Sequence, residues 1–137
     1  MIDALVDNTV AAYLQGVLAA SGYPSFTVVI GLEDNEPELA CPYLVVHSAI
    51  ERFYGRTPVF QLRTRIELHS LSTLEPVSQL EALMTVIDQA LISQAKVNVP
   101  TAGLVYLGWE AITRSEQTPG DRRVNLRELE VFGQLAS

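Results

Sequence analysis

The chain has 137 residues, 48% of them apolar, with sixteen acids against nine bases and a net charge of −7. That length reads as one domain that can bury roughly 65–70% of its unfolded surface, so a core needs neither disulfide nor metal. No 20-residue stretch is free of polar residues, which excludes a transmembrane helix. The single cysteine excludes an internal disulfide or a cysteine metal cluster.

The opening "MIDALVDN" has two Asp and no base. This is wrong for a signal or transit peptide, and a cytoplasmic setting is the simplest reading. Residues 2–21 form an amphipathic helix: Ile2, Leu5, Val6, Thr9, Val10, Tyr13, Leu14, Val17 and Leu18 make one stripe. Gly22 stands at the C-cap and Pro24 stops continuation. Gly16, mid-helix, costs about 1 kcal/mol against alanine, and a close helix contact would account for it.

"SFTVVIG" (25–31) reads as the first strand. "LEDNEPELA" (32–40) reads as a solvated acidic loop, and its spacing does not match a calcium loop. "CPYLVVHSAIE" (41–51) is the second strand, "RFYGRTP" (52–58) a turn, and "VFQLRTRIELHS" (59–70) the third strand. The third strand alternates strictly. Leu62, Thr64, Ile66 and Leu68 take one face, Arg63, Arg65, Glu67 and His69 the other. Centring the turn near Gly55 sets His47 opposite Arg63 and Leu44 opposite Ile66.

Residues 75–93 form the second helix, with Val77, Leu80, Leu83, Met84, Ile87 and Leu91 as its buried stripe. Residues 102–116 and 122–135 are the fourth and fifth strands around the turn "QTPGD". In the last strand Val124 and Leu126 share one parity, Leu129 and Val131 the other. A bulge near Arg127–Glu128, or two halves facing different surroundings, would explain the slip. The expected fold is α+β, order α-β-β-β-α-β-β: a mostly antiparallel five-stranded sheet with both helices packed on one face.

The residues supply little chemistry. Cys41 has no helix N-terminus or basic cluster to lower its pKa, and reads as a buried structural cysteine. His47 and His69 share a parity but stand apart in register, so a metal site with Glu67 is not expected. No phosphate-binding glycine motif occurs. No cofactor is expected, and no catalysis. An acidic domain is a poor wrapper of nucleic acid, although a lumen that repels phosphate would let a duplex slide. The arginines at 52, 56, 63, 65, 122, 123 and 127 are interleaved with Glu51, Glu67, Glu128 and Glu130. Mixed signs on strands fit ion pairs or a protein joint better than a phosphate track. Phe53 and Tyr54, beside arginine, are anchor types at interfaces. The candidate interface is therefore Phe53, Tyr54, Arg56, Arg63, Arg65, Glu67, His69, Arg122, Arg123 and Arg127.

The amphipathic first helix, "CPYLVVHS" after an acidic loop, "FQLRTRIELHS", "VSQLEALMTVIDQAL" and the terminal "LRELEVFG" together resemble the small tail terminator and tail completion proteins of long-tailed phages. The resemblance covers most of the chain in element order and carries no diagnostic motif. It implies a structural virion protein, assembled in the host cytoplasm. Such a protein forms a ring, usually of six copies, that caps the tail tube and joins it to the head connector. DNA passes through the lumen without sequence-specific binding, and no membrane is involved. The turns Phe53–Thr57 and Glu116–Arg122 would dock, and Arg63, Arg65, Glu67 and His69 would lie in a joint or at the lumen. The competing readings are a small ligand-binding or enzymatic α+β domain with its site on the Arg63/Arg65/His69 face, and an adaptor of a related tube assembly.

Overall fold

The computed structural model describes residues 2–23, 26–31, 43–54, 59–71, 77–93, 96–97, 104–117 and 122–135. The acidic segment 32–40, Cys41 and Arg56 lie outside them.

Helix α1 runs Ile2–Ala20. Its stripe Val6, Val10, Leu14 and Leu18 is fully buried. Gly22, at φ 98°, ends it. The Tyr23 amide donates to the Leu18 carbonyl at 2.8 Å and the Gly22 amide to Ala19 at 3.3 Å. This is the paired bond pattern of a left-handed glycine cap, which satisfies two otherwise orphaned carbonyls. Gly16 is exposed, and a Cβ added there would meet nothing within 4 Å. The close contact expected at Gly16 is not made.

The strands are β1 (Thr27–Ile30), β2 (Tyr43–Tyr54), β3 (Val59–Leu71), β4 (Lys96–Val97), β5 (Leu104–Gln117) and β6 (Arg122–Leu135), with α2 (Val77–Ser93) between β3 and β4. They form one sheet of six strands, not five, in the order β1-β2-β3-β6-β5-β4. The extra strand β4 has two residues, too few for a periodic signal. The pairs are antiparallel except β1–β2, which is parallel. A parallel neighbour needs a long return connection, and residues 31–42 supply that length.

The β2–β3 register sets Leu44 opposite Leu68 and His47 opposite Arg65. Both pairings differ by two residues from the sequence expectation: β2 continues through Arg52–Tyr54, which the sequence reads as turn, with Tyr54 paired to Val59, and a register shift between Ile50 and Arg52 sets the final offset. A two-residue shift preserves side-chain parity, so each face keeps its expected composition. β6 pairs with β3 without interruption from Arg122 to Gln134. The irregularities lie elsewhere, in β5 between Leu104 and Tyr106 and between Glu110 and Thr113 and in β2 between Ile50 and Arg52, so no bulge forms at Arg127–Glu128.

Both helices pack on one face of the sheet. The core joins the α1 stripe to Leu44, Val46, Leu62, Ile66, Leu68, Leu129, Val131, Leu107 and Trp109, with Leu80, Leu83, Ile87 and Leu91 from α2. Ser48 and Thr64, buried in this face and directly opposed, satisfy each other at 2.7 Å. The last turn of α2 is closed by side chains from two other elements. Tyr13 donates its hydroxyl to the Ala90 carbonyl at 2.9 Å, and Trp109 Nε1 donates to Leu91 at 2.7 Å. Both carbonyls belong to the last four of the helix, which have no partner within it. Burial pushes the Tyr13 hydroxyl pKa up.

Candidate interaction surface

Alternation along β3 turns Arg63, Arg65, Glu67 and His69 to the face without helices. The neighbouring strand β6 adds Glu128 and Glu130, opposite Arg65 and Arg63, and β5 adds Glu110 opposite Glu130. Arg63 is half exposed and lies 3.4 Å from Glu128. The centre of this face thus holds four carboxylates against two guanidiniums among the described residues.

The face is not uniform along its length. Arg63 and Arg65 are exposed and Glu67 is half-buried, while His69 is only 3% exposed. His69 stacks on Tyr43, with centroids 4.7 Å apart and planes 5° from parallel. Tyr43, His69 and Val124 form one buried row across β2, β3 and β6. This row stands apart from the helix-side core, since both helices lie opposite. His69 Nε2 is 3.1 Å from Glu67 Oε1. That hydrogen bond, more than the charges of Arg65, His69 and His47, holds the Glu67 carboxyl below its usual range against the opposing effect of burial. His69 Nδ1 and His47 Nδ1 are buried without a hydrogen-bond partner.

Arg123 and Arg127 point to the other face. Arg127 is nearly buried and grips Asp88 of α2 with two bonds, Nε to Oδ1 at 2.7 Å and Nη2 to Oδ2 at 3.2 Å. Its Nη1 also donates to the Leu126 carbonyl. Arg123 Nε lies 3.2 Å from Glu116 of β5 but without hydrogen-bond alignment. These residues line a cleft of about 370 Å³ between α2 and the β5–β6 end, with Leu80, Met84 and Asn125. The ten candidate residues therefore divide. Arg63, Arg65, Glu67 and His69 share one face, and Arg123 and Arg127 share the other. Phe53 and Tyr54 end β2 and Arg122 begins β6; their side chains, and all of Arg56, lie outside the described residues. The slip of apolar phase in β6 has its origin here. Leu129 and Val131 meet the core, while further down the strand the helix side is polar and the apolar Val124 and Leu126 turn to the second face.

No protein-family model matches the chain, and no curated protein matches it in sequence.

Sequence reasoning missed Tyr43 and Asp88. Nothing in "CPYLVV" marks the tyrosine as the stacking partner of a histidine 26 positions later. Asp88 lies outside the apolar stripe of α2, and only the crossing of that helix over β6 makes it the partner of Arg127. Chemically, the described residues bring together no group of three potential metal ligands. What they do build is a charged sheet face opposite the helices and, on the helix side, the cleft beside α2.

Proposed function

We propose that this chain is a structural ring component of a long-tailed phage, a tail terminator or tail completion protein without catalysis. It would cap the tail tube and join it to the head connector, in the virion. The observation that carries the reading is the sheet face opposite the two described helices, with Arg63 and Arg65 set among Glu67, Glu110, Glu128 and Glu130. An excess of carboxylates repels phosphate, which suits a surface past which DNA must slide, and the interleaved arginines give a protein partner complementary points. The two long hairpins, β2–β3 and β5–β6, are of a kind that reaches beyond a ring toward tube or connector. No helix of the described residues is long and apolar enough to cross a membrane.

Mass in solution by light scattering, alone and then with purified tail tubes, tests the proposal. The expected result is a species of about six 15.0 kDa chains, or a monomer that binds tube ends. A monomer indifferent to tubes overturns it, and a small-anion screen would then follow.

A further inference from the structure

The two edges of the sheet are stepped, and the steps are complementary. On one edge β1 covers only Tyr43–Val46 of β2, so Thr27 stands beside Tyr43 and Ile30 beside Val46. Among the described strands nothing pairs with the outer side of the rest of β2, to Tyr54. On the opposite edge β4 covers only Leu107 and Gly108 of β5. Nothing described pairs with the outer side of β5 from Trp109 to Gln117.

The register can be followed across the sheet. Tyr43 pairs with His69, His69 with Val124, and Val124 with Gln117; in the same way Val45 leads through Glu67 and Leu126 to Ser115, and Val46 through Ile66 and Arg127 to Arg114. The strand β1 therefore projects at the level where β5 is open. From the other side, Gly108 leads through Phe132 and Gln61 to Arg52, and Leu107 through Gly133 and Phe60 to Phe53. The strand β4 projects at the level where β2 is open. Each edge carries a projection where the other carries a recess.

We infer that a second copy of this chain occupies these recesses, head to tail. β1 of one copy pairs antiparallel with Arg114–Gln117 of the next, and β4 of that next copy fills the recess along β2 near Arg52 and Phe53. An open strand edge presents a row of unpaired amides and carbonyls, and pairing it with another chain satisfies them. The faces agree as well as the levels. Val28 and Ile30 pack toward the helix-side core, so Val29 shares the helix-free face with Ser115. A joint between two different edges is heterologous. It closes into a ring if the rotation between copies closes, and otherwise extends. The inference rests on the ring reading only for that closure.

Cysteine pairing tests it in the full chain with Cys41 replaced by Ser. Val29→Cys together with Ser115→Cys should give, under mild oxidation, a non-reducing gel ladder of dimers, trimers and higher species. Each single variant should stay monomeric on the gel, because neither cysteine then faces another across the joint. Thr27→Cys with Gln117→Cys, one level pair along, serves if the first variant does not fold, and should give the same ladder. A doubly substituted chain that stops at dimers overturns the head-to-tail joint, because an isologous contact closes after two copies. No cross-linking while light scattering still finds a ring overturns the edge assignment and leaves the ring reading standing. No cross-linking and no oligomer, with or without tubes, overturns both.

Discussion

Position 16 carries a glycine in a helix that has room for a methyl group. Its Cβ would meet nothing, and no left-handed backbone requires glycine there. Gly16→Ala is therefore expected to stabilise the fold by about 0.4–1 kcal/mol, chiefly by restricting the unfolded chain; urea unfolding would show the midpoint rise. Glu67 is the residue whose titration the fold changes. Its folded pKa lies below the unfolded value, mainly through the His69 hydrogen bond. The stabilisation is thus fully present above the unfolded carboxylate pKa and is lost as pH falls through the folded one. Glu67→Gln should lower stability by about 1 kcal/mol near neutral pH. Denaturant midpoints of the two proteins should converge as the pH drops below about 4.5, near the ordinary glutamate value.

At the scale of elements, α2 is held among the described residues by apolar burial along one side, by the Tyr13 and Trp109 hydrogen bonds to its last turn and by the Asp88–Arg127 ion pair. Leu83 is buried against the sheet-side core, and Leu83→Ala should cost about 2–5 kcal/mol. A loss below about 0.5 kcal/mol would mean the helix is docked by another face. The Asp88–Arg127 pair joins α2 to β6 where the apolar contact gives way to the polar cleft. Breaking it from one side leaves a nearly buried charge, so Arg127→Ala should cost about 3 kcal/mol. Asp88→Ala combined with Arg127→Met removes both charges and should recover most of that loss, which a double-mutant cycle would measure. The irregularity in β5 between Glu110 and Thr113 has its own consequence. Before it, Leu107 and Trp109 face the helices; after it, Glu116 does, and lies beside Arg123 in the cleft.

For the whole molecule, the sheet commits one face to its two helices, and the proposed contact lies on the other. Arg63 is the most exposed contact on that second face for which an ion pair is seen. An exposed pair contributes little to folding, so Arg63→Glu should change the unfolding free energy by less than about 1 kcal/mol. The same change sets a fifth carboxylate among four and should weaken tube attachment at least tenfold, read by co-sedimentation. Undiminished attachment would remove this face from the contact.

The alternation of "LRTRIELH" by itself determined a half-buried strand and sorted its side chains correctly, because a period of two is a property of the extended backbone and needs no partner. The helix stripes and the cap at Gly22 were legible for the same reason: each depends on residues within a few positions of one another. The α+β class and the helices on a single face followed from those local patterns. Register, strand order and strand number did not. The β2–β3 pairing sits two residues from the expected one because strand continuation past Glu51 is decided by pairing with Gln61, Phe60 and Val59 across the sheet, with a register shift between Ile50 and Arg52. β1 runs parallel to β2, a direction that no local pattern encodes. The division of the arginines was likewise a tertiary outcome. Arg63 and Arg65 stay on the open face while Arg127 turns inward, because only the crossing of α2 over β6 places a carboxylate where that guanidinium can be buried and paired.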